Sequence, residues 1–190
     1  VGQRSLKFKL NMHEFKYIGK KLYCERIRVE ELAKKFGTPL YVYSYRTLTG
    51  HFLKLRSAFK SIDPLICYSV KANSNLALLR SLVALGAGLD IVSGGELFRA
   101  LKSGCPPQKI VYASVGKTDA EIEEAINHNI LFFNVESLPE MENINRIAAR
   151  LRRVTRVAIR INPDVEVKTH KFITTGKITN KFGIDLKSAD

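Results

Sequence analysis

Three charged side chains interrupt apolar stretches of this sequence, and each could do chemistry. Lys71 closes the run Leu65-Ile-Cys-Tyr-Ser-Val70, Asp90 lies within Gly88-Leu-Asp90-Ile-Val92, and Arg160 lies within Ala158-Ile-Arg160-Ile-Asn162. Burying a charge is costly unless the group has a partner or a task. An amine held out of water favours its neutral form, which can attack a carbonyl and form an imine. Taken alone, Lys71 reads more plainly as a lysine whose apolar stem runs along the surface while its head reaches water. Asp90 calls for a cationic partner. Glu96 follows Gly94-Gly95 where a helix should start, and the helix dipole alone favours a carboxylate there. The glycine pair lacks the spacing of either nucleotide-phosphate fingerprint.

These residues need elements to position them. Apolar, strand-like runs fall near 65–70, 88–92, 109–113, 130–135 and 154–161, with amphipathic helical segments between them. Continuous Ile, Val and Leu runs suit parallel strands covered on both faces. Strand and helix alternating every roughly 20–26 residues predict a parallel α/β fold. A barrel and an open doubly wound sheet both satisfy that pattern. In either, functional residues gather at the C-terminal ends of the strands, where Lys71, Asp90 and Arg160 stand. Structural ion pairing among them is the plainer alternative.

Helix boundaries are punctuated. Gly86 and Gly104 sit where a glycine closes a helix. Thr118 with Glu121, and Ser137 with Glu140, fit capping boxes, and Pro139 falls within a first helical turn. A helix from Tyr45 to about Lys60 carries Leu48, Phe52, Leu55 and Phe59 at helical spacing. The first 44 residues differ: a hairpin around Gly19-Lys20, a short helix near 29–36 ended by Gly37, and a predicted strand at Pro39–Ser44.

The 190 residues carry a formal net charge of +13. That charge raises nucleic acid as a partner. The basic residues are spread from Arg4 to Lys187, however, and the one tight group, Arg150, Arg152, Arg153 and Arg156, reads as a solvated helix C-terminus. No nucleic-acid-binding motif is present, so no nucleic-acid partner is expected. No apolar stretch has the length of a membrane span, and residues 1–10 lack a secretory apolar region. Cys24, Cys67 and Cys105 form neither a metal pattern nor a disulfide framework, so no metal is expected, and reduced thiols of a cytoplasmic protein are.

Read together, Tyr68-Ser-Val-Lys71-Ala-Asn73, Gly88-Leu-Asp90-Ile-Val-Ser-Gly-Gly-Glu96, and Thr169-His-Lys-Phe-Ile-Thr-Thr-Gly176 with Asn180-Lys-Phe-Gly183 resemble the diaminopimelate decarboxylase family. This is a fold type III pyridoxal-phosphate-dependent decarboxylase family with an alanine-racemase-like (β/α)8 barrel. The resemblance extends to Phe36-Gly-Thr-Pro-Leu-Tyr-Val-Tyr-Ser44. It implies pyridoxal 5'-phosphate carried on Lys71, with Asp90, Glu96 and Arg160 as polar residues about the cofactor. It implies decarboxylation of an amino acid, meso-diaminopimelate, to L-lysine; an ornithine- or arginine-type decarboxylase of the same fold, or a non-catalytic cofactor-binding relative, is the alternative. Lys181 matches a lysine near the interface of a homodimer. Residues 1–44 would be a segment of the β-rich second domain, and 45–190 an incomplete barrel with about five strands. The cofactor-stacking histidine, the phosphate loops and the acid for the pyridine nitrogen would follow Asp190, so His170 is not that histidine. The 190-residue chain by itself is expected to be inactive. Ser69 stands where many relatives have alanine, a small departure that the site should tolerate.

Overall fold

The computed structural model describes residues 12–162 and 183–185. The predicted loop Thr169–Gly176, and Lys181 with it, lie outside the described residues. The chain divides into two compact units, Val1–Pro64 and Leu65–Asp190.

In the first unit, β1 (Phe15–Ile18), β2 (Lys21–Cys24) and β3 (Ile27–Arg28) form an antiparallel sheet in that order. The hairpin falls where it was expected, with Ile18 opposite Lys21. Helix α1 (Val29–Phe36) ends at Gly37, and α2 (Tyr45–Ala58) follows. The expected strand at Pro39–Ser44 is not formed: the segment pairs with no strand among the described residues, and Tyr41 and Tyr43 are exposed. Strand propensity is a preference for a half-buried pleated surface, and it lapses without a neighbouring ladder. The end of the segment is also committed elsewhere. Ser44 is the N-cap of α2; its Oγ accepts from the Thr47 N–H at 3.0 Å and donates to Glu25 Oε1 at 2.9 Å.

The second unit is built on five parallel strands: β4 (Cys67–Ser69), β5 (Gly88–Ile91), β6 (Ile110–Tyr112), β7 (Phe132–Val135) and β8 (Val157–Ile159). Between them run α3 (Leu76–Ala84), α4 (Gly94–Lys102), α5 (Asp119–Asn127) and α6 (Leu138–Arg150). The strands are adjacent in chain order, β4-β5-β6-β7-β8. A doubly wound sheet reverses its order at a switch point; this one does not, so the barrel alternative is the one adopted. Past β8, after Arg160 alone, β9 (Ile161–Asn162) pairs in parallel with β10 (Ile184–Asp185). The count of five is thus met, and a sixth strand begins.

Alternation sorts the side chains between the two faces. Leu89, Ile91, Ile110, Tyr112, Phe133 and Val135 point to the helices and are buried with Leu79, Leu97, Ile122, Ile144 and Ile147 in one core. Each such side chain contributes on the order of 1.5–3 kcal/mol relative to exposure. The Tyr112 and Phe133 rings stack with centroids 5.9 Å apart. The opposite parity, Cys67, Ser69, Asp90, Val111, Asn134 and Ala158, lies in register across the other face. Val157 and Ile159 at the end of the five-strand run stay exposed, as does Val154. The helix ends follow the sequence: Gly86 and Gly104 take φ +94 and +86 as closing residues, and Thr118 and Glu121 form the full capping box.

Gly88 stands where neighbouring chain segments come too close for a side chain. A Cβ there would sit 2.5 Å from the Lys109 carbonyl oxygen and 2.8 Å from Cys67 Sγ. Gly88→Ala should therefore cost about 1–3 kcal/mol or more, read as a lower urea midpoint; a midpoint equal to wild type would contradict this packing. Burial pushes the Cys105 thiol up to about 11. At pH 8 its thiolate is scarce, and native Cys105 should alkylate about 10²-fold more slowly than an ordinary cysteine. Mass spectrometry after iodoacetamide, native against urea-unfolded, checks this.

Candidate functional site

The site lies on the inner face at the C-terminal ends of the strands, because parity sends alternate residues there and the helices take the rest. Cys67, Asp90, Val111, Ala113, Asn134, Glu136 and Arg160 line an open hollow of about 510 Å³. That is within the roughly 300–1,000 Å³ of small-ligand sites. The ladder fixes the neighbours: Ser69 is opposite Asp90, and the Arg160 N–H donates to the Val135 carbonyl at 2.9 Å, which sets Arg160 beside the end of β7.

The structure thus brings two of the four expected residues, Asp90 and Arg160, into one wall. They are held by different partners. Ser69 Oγ donates to Asp90 Oδ2 at 3.0 Å. Arg160 Nη1 donates to both oxygens of Glu136, at 3.0 and 3.2 Å. The Glu136 side chain is only 6% exposed, so removing the guanidinium would strand a buried carboxylate. Glu136 was missed in the sequence, where Val135-Glu-Ser137 reads as the start of a loop. The charge of Arg160 inside an apolar run was the available signal, since it demands an anion on a neighbouring strand end.

Lys71 has its head in water, as the residue taken alone suggested, but the strand before it ends earlier than expected. The strand stops at Ser69, and Lys71 occupies the middle of a 3₁₀ turn, Val70–Ala72, with its side chain exposed. The turn packs against β5 and α4. Val70 takes the buried place that closes the strand, so the apolar run does not draw Lys71 out of water. Lys71 stands at the same end of the sheet as the hollow, two residues beyond Ser69.

Glu96 serves the helix start. Ser93 Oγ accepts from the Glu96 N–H at 3.2 Å, and Glu96 Oε2 accepts from the Val92 N–H at 2.8 Å. The same arrangement recurs around the rim. Glu121 accepts from the N–H and hydroxyl of Thr118 and, across to the start of α4, from the Gly94 N–H at 2.7 Å. These donors, Thr118 first, hold its carboxyl below the usual range. Glu140 accepts from the Glu136 N–H at 2.9 Å and, across to the preceding loop, from Lys117 Nζ. Burial, then the neighbouring Glu121 charge, pushes the Tyr112 phenol well above its ordinary range. Among the described residues no cluster of His, Cys, Asp and Glu is arranged to hold a metal ion, and no helix is long and apolar enough to cross a membrane.

Residues 45–190 match the family model of the pyridoxal-dependent decarboxylases, pyridoxal binding domain. The diaminopimelate decarboxylase of Aquifex aeolicus is 52% identical over 168 residues, which are 88% of this chain and 40% of the relative. That of Neisseria meningitidis serogroup B is 50% identical over 163 residues, 86% of this chain and 39% of the relative. The crystal structure of diaminopimelate decarboxylase from Helicobacter pylori complexed with L-lysine superposes with a TM-score of 0.81 at 48% identity, over 85% of this chain and 41% of that one. The chain spans about two-fifths of the length of these relatives. By its match and its parallel α/β architecture, the chain belongs to the pyridoxal-dependent decarboxylases, within their pyridoxal-binding domain.

Proposed function

We propose that this chain supplies part of the cofactor pocket of a diaminopimelate decarboxylase, which converts meso-diaminopimelate to L-lysine with pyridoxal 5'-phosphate carried on Lys71. The observation that carries this reading is a polar hollow at the strand ends, with an exposed lysine at its end of the sheet, in a chain half identical to such enzymes. The described residues fit the cofactor. An amine must be reachable to carry it, and Lys71 is; the hollow has the volume for it and presents both carboxylate and guanidinium groups.

When bound, the cofactor supplies an electron sink for the pair left by the departing carboxyl group. The residues of this chain bind and orient. Lys71 provides the primary amine. Asp90, with one oxygen engaged by Ser69, keeps acceptor capacity toward the hollow. Arg160 is aimed by its paired bonds to Glu136 and supplies fixed positive charge. Glu96 holds the β5–α4 turn that borders the site. On the same reading the intact protein is a cytoplasmic homodimer with Lys181 near its interface. Residues 1–44 belong with a second, β-rich domain and 45–190 with the barrel.

Two outcomes follow for the full-length protein that carries this sequence. Lys71→Ala should abolish the visible absorbance of covalently held cofactor and reduce lysine formation to background; an unchanged spectrum would refute the assignment. Arg160→Ala should weaken retention of pyridoxal phosphate about 10- to 100-fold, the worth of a charge-assisted bond. Equilibrium dialysis reads it, and an unaltered Kd would remove Arg160 from the site.

A further inference from the structure

Lys117 is the most buried charged group among the described residues, and it lies outside the hollow. It sits in the loop between β6 and α5, and its side chain is 0% exposed. Its Nζ donates to the Ser114 carbonyl at 2.7 Å, to the Asn134 carbonyl at 2.9 Å and to Glu140 Oε1. It also lies 5.6 Å from the centre of the Tyr112 ring. An ammonium has three protons, and all three have acceptors. A fully buried lysine of this kind is tolerated only because it is paired and saturated.

Its contacts converge on the end of β7. Lys117 holds the Asn134 carbonyl, and Glu140, itself held by Lys117, accepts from the Glu136 N–H at 2.9 Å. The backbone of residues 134–136 is therefore clamped at two points by one ion pair. Asn134 and Glu136 are the residues that this segment contributes to the hollow, and Glu136 aims Arg160. We propose that Lys117, through Glu140, is a positioning residue for the site. It fixes the end of β7 so that the Glu136–Arg160 pair is held in register with Asp90. It touches neither cofactor nor substrate; it acts through the backbone that carries Glu136. The inference rests on the assignment of the hollow as the cofactor pocket.

The test uses the full-length holoenzyme and three variants. Lys117→Met keeps length and removes the charge. Lys117→Met/Glu140→Gln removes both charges, so that no buried carboxylate is stranded and the fold is spared. Ile144→Val trims the core side of α6, the helix that carries Glu140, and supplies a stability loss that does not involve the clamp. The readouts are the Kd for pyridoxal phosphate and the kcat and KM for meso-diaminopimelate. A misplacement of about 1 Å costs up to roughly 10²-fold. Both Lys117 variants should therefore lose 10- to 100-fold in kcat with KM little changed, and bind the cofactor more weakly, while Ile144→Val matches wild type. Wild-type kcat and cofactor Kd in the folded double variant would overturn the inference and leave the proposed function standing. A wild-type protein that binds the cofactor but leaves diaminopimelate intact would sink the substrate assignment. The cofactor Kd of the variants would then still decide the clamp, weaker binding supporting it and equal binding refuting it. Equal losses in Ile144→Val would also refute it, because general destabilisation would then explain the effect.

Discussion

A parallel strand that turns directly into a helix leaves the first N–H groups of that helix, and those of the turn before it, without partners. In this domain the constraint falls on the rim that carries the site. It is met by carboxylates placed three residues past a serine or threonine: Glu96, Glu121 and Glu140. Two of them do more than cap. Glu121 reaches the Gly94 N–H and Glu140 reaches Lys117, so each ties its own helix to the strand–helix junction of the preceding repeat. The rim becomes a connected set of loops, and the side chains of the hollow inherit its rigidity. Loops that carry function are ordinarily the mobile part of a fold; here backbone-to-carboxylate bonds hold them.

This explains which residues are polar and where. From β5 to β7 the helix-facing row of the sheet is apolar and excluded from water. The inner row changes character along its length, from Cys67 and Val111 to Asp90, Asn134, Glu136 and Arg160. Charges are affordable there because each is given a partner by the ladder: Ser69 stands across from Asp90, and Arg160 follows Glu136 by way of the Val135 carbonyl. The surface charge follows another rule. Arg150 pairs with Glu123 and Arg146 with Asp119 between α6 and α5, all about half exposed, and such pairs contribute little individually. The excess of basic residues is therefore no guide to the site.

Much of the fold was legible because it is written in local signals. Gly86, Gly104 and the Thr118–Glu121 box mark their helix ends in the sequence as in the structure, and every apolar run became a strand of the sheet. What failed to show depended on distant partners. Pro39–Ser44 alternates like a strand but lacks a ladder. Ile184–Asp185, two residues long, has no periodicity and becomes a strand only by pairing with Ile161–Asn162. The site divides in the same way. Asp90 and Arg160 were visible as charges in apolar runs, whereas Glu136 and Lys117 lie in segments that read as solvated loops. They are recognised only once the register sets their partners beside them.

Lys71 shows the limit of local reasoning most clearly. Its position after an apolar run left a desolvated amine and a lysine reaching water both open, and the strand's end at Ser69, with Val70 in the buried place, selects the second. On the proposed function an exposed amine is the better starting point, because the cofactor must reach it. Within this chain it is the surroundings, not Lys71, that are fixed in advance: Asp90 by Ser69, Arg160 by Glu136, and the end of β7 by Lys117 and Glu140. Preorganised polar groups at a site cost nothing to reorient when charge develops, which is where electrostatic catalysis gains most.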